Sequence, residues 1–202
     1  EGILLREAGI SKSILVLGGI GGKYWGGSVN QIPLFLEYDL TPTVSSIEKL
    51  ADIDSAARQA GTTARIHLKI DTGMERIGTH YYNAPRLLEA ALNSDHCQVT
   101  GIYSHFASSE SADLTSARIQ LQRFNNVLEF YVQRGLPPPT RHMANSGAIL
   151  QLPESHFDMV RPGIMLYGVY PARETPRTVL VRPALSWKSQ VAFFKVVRPG
   201  HP

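Results

Sequence analysis

Along most of the chain the apolar positions alternate between two periods, a continuous or every-second run of strand length followed by a stripe with helical spacing. Ser13 to Leu17 (SILVL) is short and almost wholly apolar, as in strands that a parallel sheet buries on both faces. Leu40 to Ser46 predicts a second strand ending in a capping box, Ser45 with Glu48 three residues on. The helix behind it places Leu50, Ile53, Ala57 and Ala60 on one face and stops at Gly61. Ala64 to Asp71 predicts the next strand, Asn83 caps a helix running through Asn93, and Val99 to Ser104 is again a strand. A longer helix with Ala117, Leu121, Phe124, Leu128 and Tyr131 on one stripe ends at Gly135, before a Leu-Pro-Pro-Pro break.

The stretch Arg141 to Gly168 predicts two more buried strands, each ending in a small polar or glycine-containing turn. After His142-Met143 comes Ala144-Asn145-Ser146-Gly147, leading into a helical run from Ala148 to Leu152, an arrangement suited to an anion. After Met159-Val160 comes Arg161-Pro162-Gly163-Ile164, which adds a permanent charge and a backbone that can approach a ligand. Read without further information, these are either a phosphate site of an α/β barrel or two ordinary strand ends.

Six strands, each but the last followed by a helix or helical turn, predict an α/β chain with an incomplete (β/α)8 TIM-type barrel, since a closed one has eight strands. Beyond Tyr170 the rhythm changes. Pro171, Pro176 and Pro183 mark a linker, and Leu185 to Val197 has strand character with no helix after it. The expected division is a barrel over 1–170 and, over 171–202, a linker with the first strand of a C-terminal β domain. The sequence opens inside a helical pattern without an initiator methionine, so the natural start is expected upstream.

Composition narrows the classes. With 202 residues, 43% hydrophobic and 18% charged, the chain is long enough for one sizeable core. A net charge of +3 is spread without a basic stripe, which argues against nucleic acid, and no apolar run approaches the ~20 residues of a membrane span. The lone Cys97 excludes an internal disulfide and a cysteine zinc site, fits a reducing compartment, and reads as a small buried apolar residue. No metal is expected. Gly18 to Gly27 imitates a phosphate loop but fails both common patterns: Leu17 and Tyr24 break the Walker spacing, and Tyr24 also stands where a third dinucleotide-loop glycine belongs. It is expected to be a flexible loop.

On the strand ARIHLKID the alternation sets Arg65, His67, Lys69 and Asp71 against Ile66, Leu68 and Ile70. The polar set is expected to face the barrel interior, as an internal ion-pair network or as catalytic groups. His105 ends the strand GIYSHFASS and by itself reads as a core histidine.

Four segments in this order, HLKIDTGMERIG, GIYSHFASS, HMANSGAIL and DMVRPGIMLYG, resemble alanine racemase, and the resemblance runs from about Gly2 to the end of the chain. It implies a pyridoxal 5'-phosphate enzyme with an α/β barrel and a C-terminal β domain. Such an enzyme interconverts L- and D-alanine by two-base proton transfer, as a cytoplasmic homodimer with shared active sites, and supplies D-alanine for peptidoglycan. The alternatives are a broad-specificity or serine racemase of the same fold, or a non-catalytic pyridoxal-phosphate carrier.

The resemblance further implies roles for single residues. Lys69 matches a lysine that many members carry as a carbamate, which orients the arginine matching Arg76. Glu75 departs from the family, which usually has glycine there, and introduces a carboxylate able to compete for Arg76. His105 matches a residue that contacts the catalytic tyrosine. Arg161 matches the arginine at the pyridine nitrogen, where related decarboxylases have glutamate. Ser146, Gly163 and Ile164 match the phosphate cradle, with Asn145 either supporting it or only making the turn. The Schiff-base lysine and the catalytic tyrosine are expected before Glu1 and after Pro202. The remaining histidines receive no assignment from the resemblance.

Overall fold

The computed structural model describes residues 1–20 and 31–200. Among them, five strands lie side by side and all parallel: Ile14–Gly19 (β1), Leu40–Val44 (β2), Ala64–Asp71 (β3), Cys97–Tyr103 (β5) and Thr140–His142 (β6), in the order β1-β2-β3-β5-β6. A sixth, Thr79–His80 (β4), pairs with the end of β3 off this path. The helices Ile32–Glu37 (α2), Ile47–Gln59 (α3), Ala84–Leu92 (α4) and Thr115–Gln133 (α5) connect successive strands, and Gly2–Glu7 (α1) precedes them. This is the parallel α/β arrangement expected from the alternating periods.

Burial follows the expected faces. Ile66, Leu68 and Ile70 of β3 are fully buried in one apolar cluster with Leu50 and Ile53 of α3, Leu87 and Leu88 of α4, and Phe124 and Leu128 of α5. Each such side chain contributes roughly 1.5–3 kcal/mol on leaving water. The helix stops at Gly61 and Gly135 are real, with φ of 63° and 64°, the left-handed conformation that closes a helix at little cost only with glycine.

Several expectations shift. The cap of α3 is Ser46, whose Oγ accepts from the Lys49 amide at 3.3 Å, so the box from Ser45 to Glu48 does not form; the Ser45 carbonyl instead accepts from Thr79 Oγ1 at 2.8 Å. Ala60 becomes the exposed C-cap of that helix. Asn83 holds the N-cap position of α4 without a side-chain bond. The strand expected at Met159-Val160 shrinks to one parallel bridge from Met159 to His142, because Pro162 has no N–H and the Arg161 amide turns to Ala144 O at 2.9 Å. β4 was not foreseen, since two residues carry no periodicity.

No strand forms over 185–197 among the described residues. Trp187 and Phe193 there are 91% and 81% exposed, and the segment finds no backbone partner, without which a strand has no ladder. The linker before it does pack on the barrel: Thr175 Oγ1 donates to Glu110 O, Thr178 Oγ1 to Leu150 O, and the Ala184 amide to Tyr167 O. The phosphate-loop lookalike falls mostly on residues outside the described ones; its first two glycines, Gly18 and Gly19, extend β1.

Candidate active site

The parallel register stacks the polar face of β3 into cross-strand rows. Thr43, His67, Gly101 and Thr140 stand in one row, and Lys69, Tyr103 and His142 in the next, towards the carboxyl ends of the strands. The expected ion-pair network within the polar face of β3 does not form. Arg65 leaves it for Asp39 at 2.6 Å, at the exposed start of the strand. Asp71, at the other end, receives the amides of Gly73, Met74 and Glu75 on Oδ1 at 2.8, 2.9 and 3.2 Å. Burial opposes its ionisation, yet those three amides hold the carboxyl below the usual range and fold the following loop around it.

Lys69 is 7% exposed. Burial foremost, then the charges of Arg161 and Arg76, lower its pKa to about 7 against the opposing pull of Asp71. A large fraction is therefore neutral amine at physiological pH. Its Nζ lies 4.6 Å from the centroid of the Tyr103 ring, against which His142 stacks at 4.6 Å and 10°. The Tyr103 hydroxyl pairs with Thr43 Oγ1 at 2.8 Å, and Thr43 gives its own proton to Val16 O, so the phenol is the donor in that pair. The site thus has an aromatic floor anchored to two further strands.

Arg161 is the most connected residue of the site. Nη1 donates to His142 Nδ1 at 2.5 Å; Nη2 lies 2.7 Å from Ser104 O, 3.1 Å from His105 Nδ1 and 3.2 Å from Met143 O. Among the described residues Nε is the one guanidinium nitrogen without a protein acceptor, and no fully buried side-chain nitrogen or oxygen lacks a partner, so Nε faces accessible space. Burial lowers the Arg161 pKa to about 10, which leaves it charged. Burial and then that charge lower His105 to about 4 and His142 to about 2, so both rings are neutral.

The two turns after β6 meet. Asn145 caps the helix Ser146–Gln151 (α6), accepting from the Ala148 amide at 3.1 Å and from Ser109 Oγ. Ser146 Oγ accepts the amides of Gly163 at 3.0 Å and Met165 at 3.4 Å, which leaves its hydroxyl proton for an outside acceptor. Ile164 opens the short 3-10 turn Ile164–Tyr167 and is exposed. Ser146, Gly163 and Ile164 are therefore gathered in one place with a hydroxyl and backbone amides, which suits a phosphate.

Arg76 is exposed, and its charge reaches Lys69, Tyr103 and His105. Glu75 does not pair with it; the carboxylate points to His80, 3.9 Å away, and the residue has φ of 56°. The glycine usual in the family at this position would adopt that backbone without the cost that any L side chain carries.

Four contributors were not singled out by sequence reasoning. The sequence pattern places His142 only ahead of the first turn, and Tyr103 and Thr43 only within strands. Gln120, on α5, is 2% exposed and clamps two loops: Nε2 donates to His105 O at 3.1 Å and Thr72 Oγ1 at 3.3 Å, and Oε1 accepts from the Ala107 amide at 3.0 Å. A polar residue on the apolar stripe of a helix was the available signal.

With this geometry in view, similarity to known proteins becomes specific. Residues 1–171 match the family model described as alanine racemase, N-terminal domain. The alanine racemase of Carboxydothermus hydrogenoformans is 41% identical over 99% of this chain and 52% of its own length, and that of Halothermothrix orenii 34% over 99% and 51%. The chain thus spans about half the length of the curated relatives it matches. Among solved structures, the alanine racemase of Clostridium difficile 630 in complex with cycloserine superposes with a TM-score of 0.82 at 29% identity, over 90% of this chain and 49% of that one. The enzyme from D-cycloserine-producing Streptomyces lavendulae gives 0.76 at 40% identity, over 86% and 44%.

Proposed function

Because the chain belongs to the alanine racemase family, we propose that it forms the pyridoxal 5'-phosphate-binding barrel of an enzyme interconverting L- and D-alanine. The observation that carries this reading is the Arg161 guanidinium, locked through both Nη nitrogens with Nε–H left to offer. When bound, the cofactor supplies an electron sink that makes the Cα proton of an amino acid removable.

Everything else is done by the chain's own residues. Arg161 would donate Nε–H to the pyridine nitrogen and, since it stays charged, give that nitrogen no proton. The sink is then weak, which favours return of the proton to Cα over transamination. Ser146 would donate its free hydroxyl proton to the phosphate, joined by the amide of Ile164, while the Gly163 amide holds the Ser146 oxygen in place and Asn145 holds the helix start beneath them. Lys69, partly neutral, has the free amine that carbon dioxide requires; as a carbamate it would orient Arg76, now without a hydrogen-bond acceptor among the described residues. His105, held neutral against Arg161, would place the imidazole that positions a tyrosine base. The homodimer, the cytoplasmic setting, the supply of D-alanine for peptidoglycan and the division into a barrel over 1–170 and a β domain beginning within 171–202 belong to the same reading.

The test is to load the full-length protein, with the segments expected before Glu1 and after Pro202, with pyridoxal phosphate in deuterated water and follow Cα exchange and inversion of L-alanine, L-serine and a wider amino-acid panel. Inversion concentrated on alanine supports the proposal. Equal inversion across the panel would favour a broad-specificity racemase, and tight binding without any exchange a carrier protein.

A further inference from the structure

We propose that His67 is a positioning residue for Arg161, acting through His142 by a hydrogen-bonded relay that crosses from β3 to β6. His142 Nδ1 stands 2.5 Å from Arg161 Nη1, and His142 Nε2 stands 2.9 Å from His67 Nδ1. A guanidinium has no lone pair to accept with, so His142 Nδ1 is bare and its single proton sits on Nε2. That proton goes to His67 Nδ1, which must also be bare, and His67 carries its own proton on Nε2. One placement of protons therefore satisfies all three residues.

The surroundings make His67 hard to replace. His142 is 0% exposed, so with the His67 ring in place its Nε2–H has no solvent to turn to. Gly101, beside His67 in the register, leaves room for the ring: a Cβ there would lie 2.4 Å from His67 Cε1. The charged and titratable groups around the relay are Lys69 on β3, Tyr103 on β5, Arg161 itself, and His105 and Arg76 at the strand ends. Burial first, and then Arg161, hold His67 near pKa 4, so the proton pattern persists at neutral pH. With His142 fixed from behind, Arg161 cannot turn about its Nη1 contact, and the direction of its Nε–H is set from two residues away. What that Nε–H meets rests on the racemase reading; the relay does not.

The experiment uses the full protein labelled with 15N at histidine and arginine, first without cofactor. Both rings are expected as neutral Nε2–H tautomers, with scalar coupling across the bond from His142 Nε2 to His67 Nδ1 and a slowly exchanging Nη1–H on Arg161, the proton given to His142 Nδ1. His67→Asn puts an amide oxygen where Nδ1 stands and should keep the protected His142 proton; His67→Leu should lose it and speed exchange at Arg161 Nη1. In the loaded enzyme His67→Leu should lower kcat by roughly ten- to a hundredfold, with KM shifted by no more than about twofold, and His67→Asn should recover most of the loss.

A proton on His67 Nδ1 in the wild type, or a folded His67→Leu protein with unchanged Arg161 exchange and kcat, would overturn the proposal. Should His67→Leu not fold, the wild-type tautomers and His67→Asn decide: loss of the protected proton in His67→Asn counts against the relay. The expected tautomers in a protein that racemises nothing would support the relay and sink the assigned activity.

Discussion

The ring of His67 lies against the backbone of Gly101, its register neighbour on the next strand, with no room between them for a methyl group. An ideal Cβ on residue 101 would stand 2.4 to 2.6 Å from three atoms of the ring. Gly101→Ala should therefore displace His67 and cost roughly 1–3 kcal/mol, the usual range for overpacking. Urea unfolding measures the cost, and loss of the protected His142 ring proton reports the displacement. An alanine variant as stable as the wild type would mean that strand and ring separate without difficulty.

Glu75 pays a conformational cost of its own. Its φ of 56° is left-handed, and its contact with His80 is long at 3.9 Å and exposed on both sides. Removing the side chain loses little, since exposed ion pairs contribute about 0–1 kcal/mol. Glu75→Gly should then stabilise the fold by about 0.5–1 kcal/mol, less than the 1–2 kcal/mol of a left-handed residue because glycine also loosens the unfolded chain. A melting temperature that falls would show the His80 contact to matter more than the backbone.

Lys69 has the exposure and basicity of a carbamate former. A sample equilibrated with 13C-labelled bicarbonate should show one carbamate resonance that disappears in Lys69→Ala. Acetate or another small carboxylic acid should partly restore racemisation in that variant by standing in for the missing anion, an increase of roughly several-fold over the unrescued protein. A bare amine in the wild type, with no rescue of the variant, would remove Lys69 from the mechanism.

Arg161→Glu exchanges a donor that never releases its proton for a group that can share one with the ring nitrogen. Racemisation should slow by roughly tenfold or more, and the share of transamination product should rise. The variant also removes the donor to His142 Nδ1, so the histidine tautomers should change in the same protein. An unchanged rate with an unchanged product ratio would contradict the electronic argument.

Acid should unfold the protein through its interior histidines. His67, His105 and His142 have pKa values lowered from the usual 6.5 to about 4, 4 and 2, by burial first and then by Arg161. Between pH 6.5 and about 4 the unfolded chain takes up protons that the folded one refuses. Stability present above pH 6.5 is thus lost as the pH falls, by up to about 1.4 kcal/mol per pH unit for each histidine. Lys69, lowered from 10.5 to about 7, acts in the same direction in a higher window: stability rises as pH climbs from 7 towards 10.5. Urea midpoints from pH 4 to 9 test both slopes, and a flat profile below pH 6.5 would mean that the rings are already charged in the fold.

The sequence alone determined the succession of the five strands that lie side by side, the apolar faces of α3, α5 and β3, and two helix stops, because these depend on local periodicity and on what glycine permits. Through the resemblance it also marked Lys69, His105, Ser146, Arg161 and Gly163 as candidate site residues, since their motifs are contiguous in the chain. Only the tertiary structure decided which of them meet. The pairing of His142 with His67, 75 residues apart, and of Ser146 with Gly163 follows from parallel register and from turns that no local pattern encodes. The expected strand at Met159 and the one over 185–197 failed for a related reason: strand character is local, but a strand exists only where a neighbour receives its hydrogen bonds. The protonation of the site was likewise settled by packing. Three histidines are neutral and a lysine is partly neutral because burial and the guanidinium of Arg161, brought in from another strand end, act on them together.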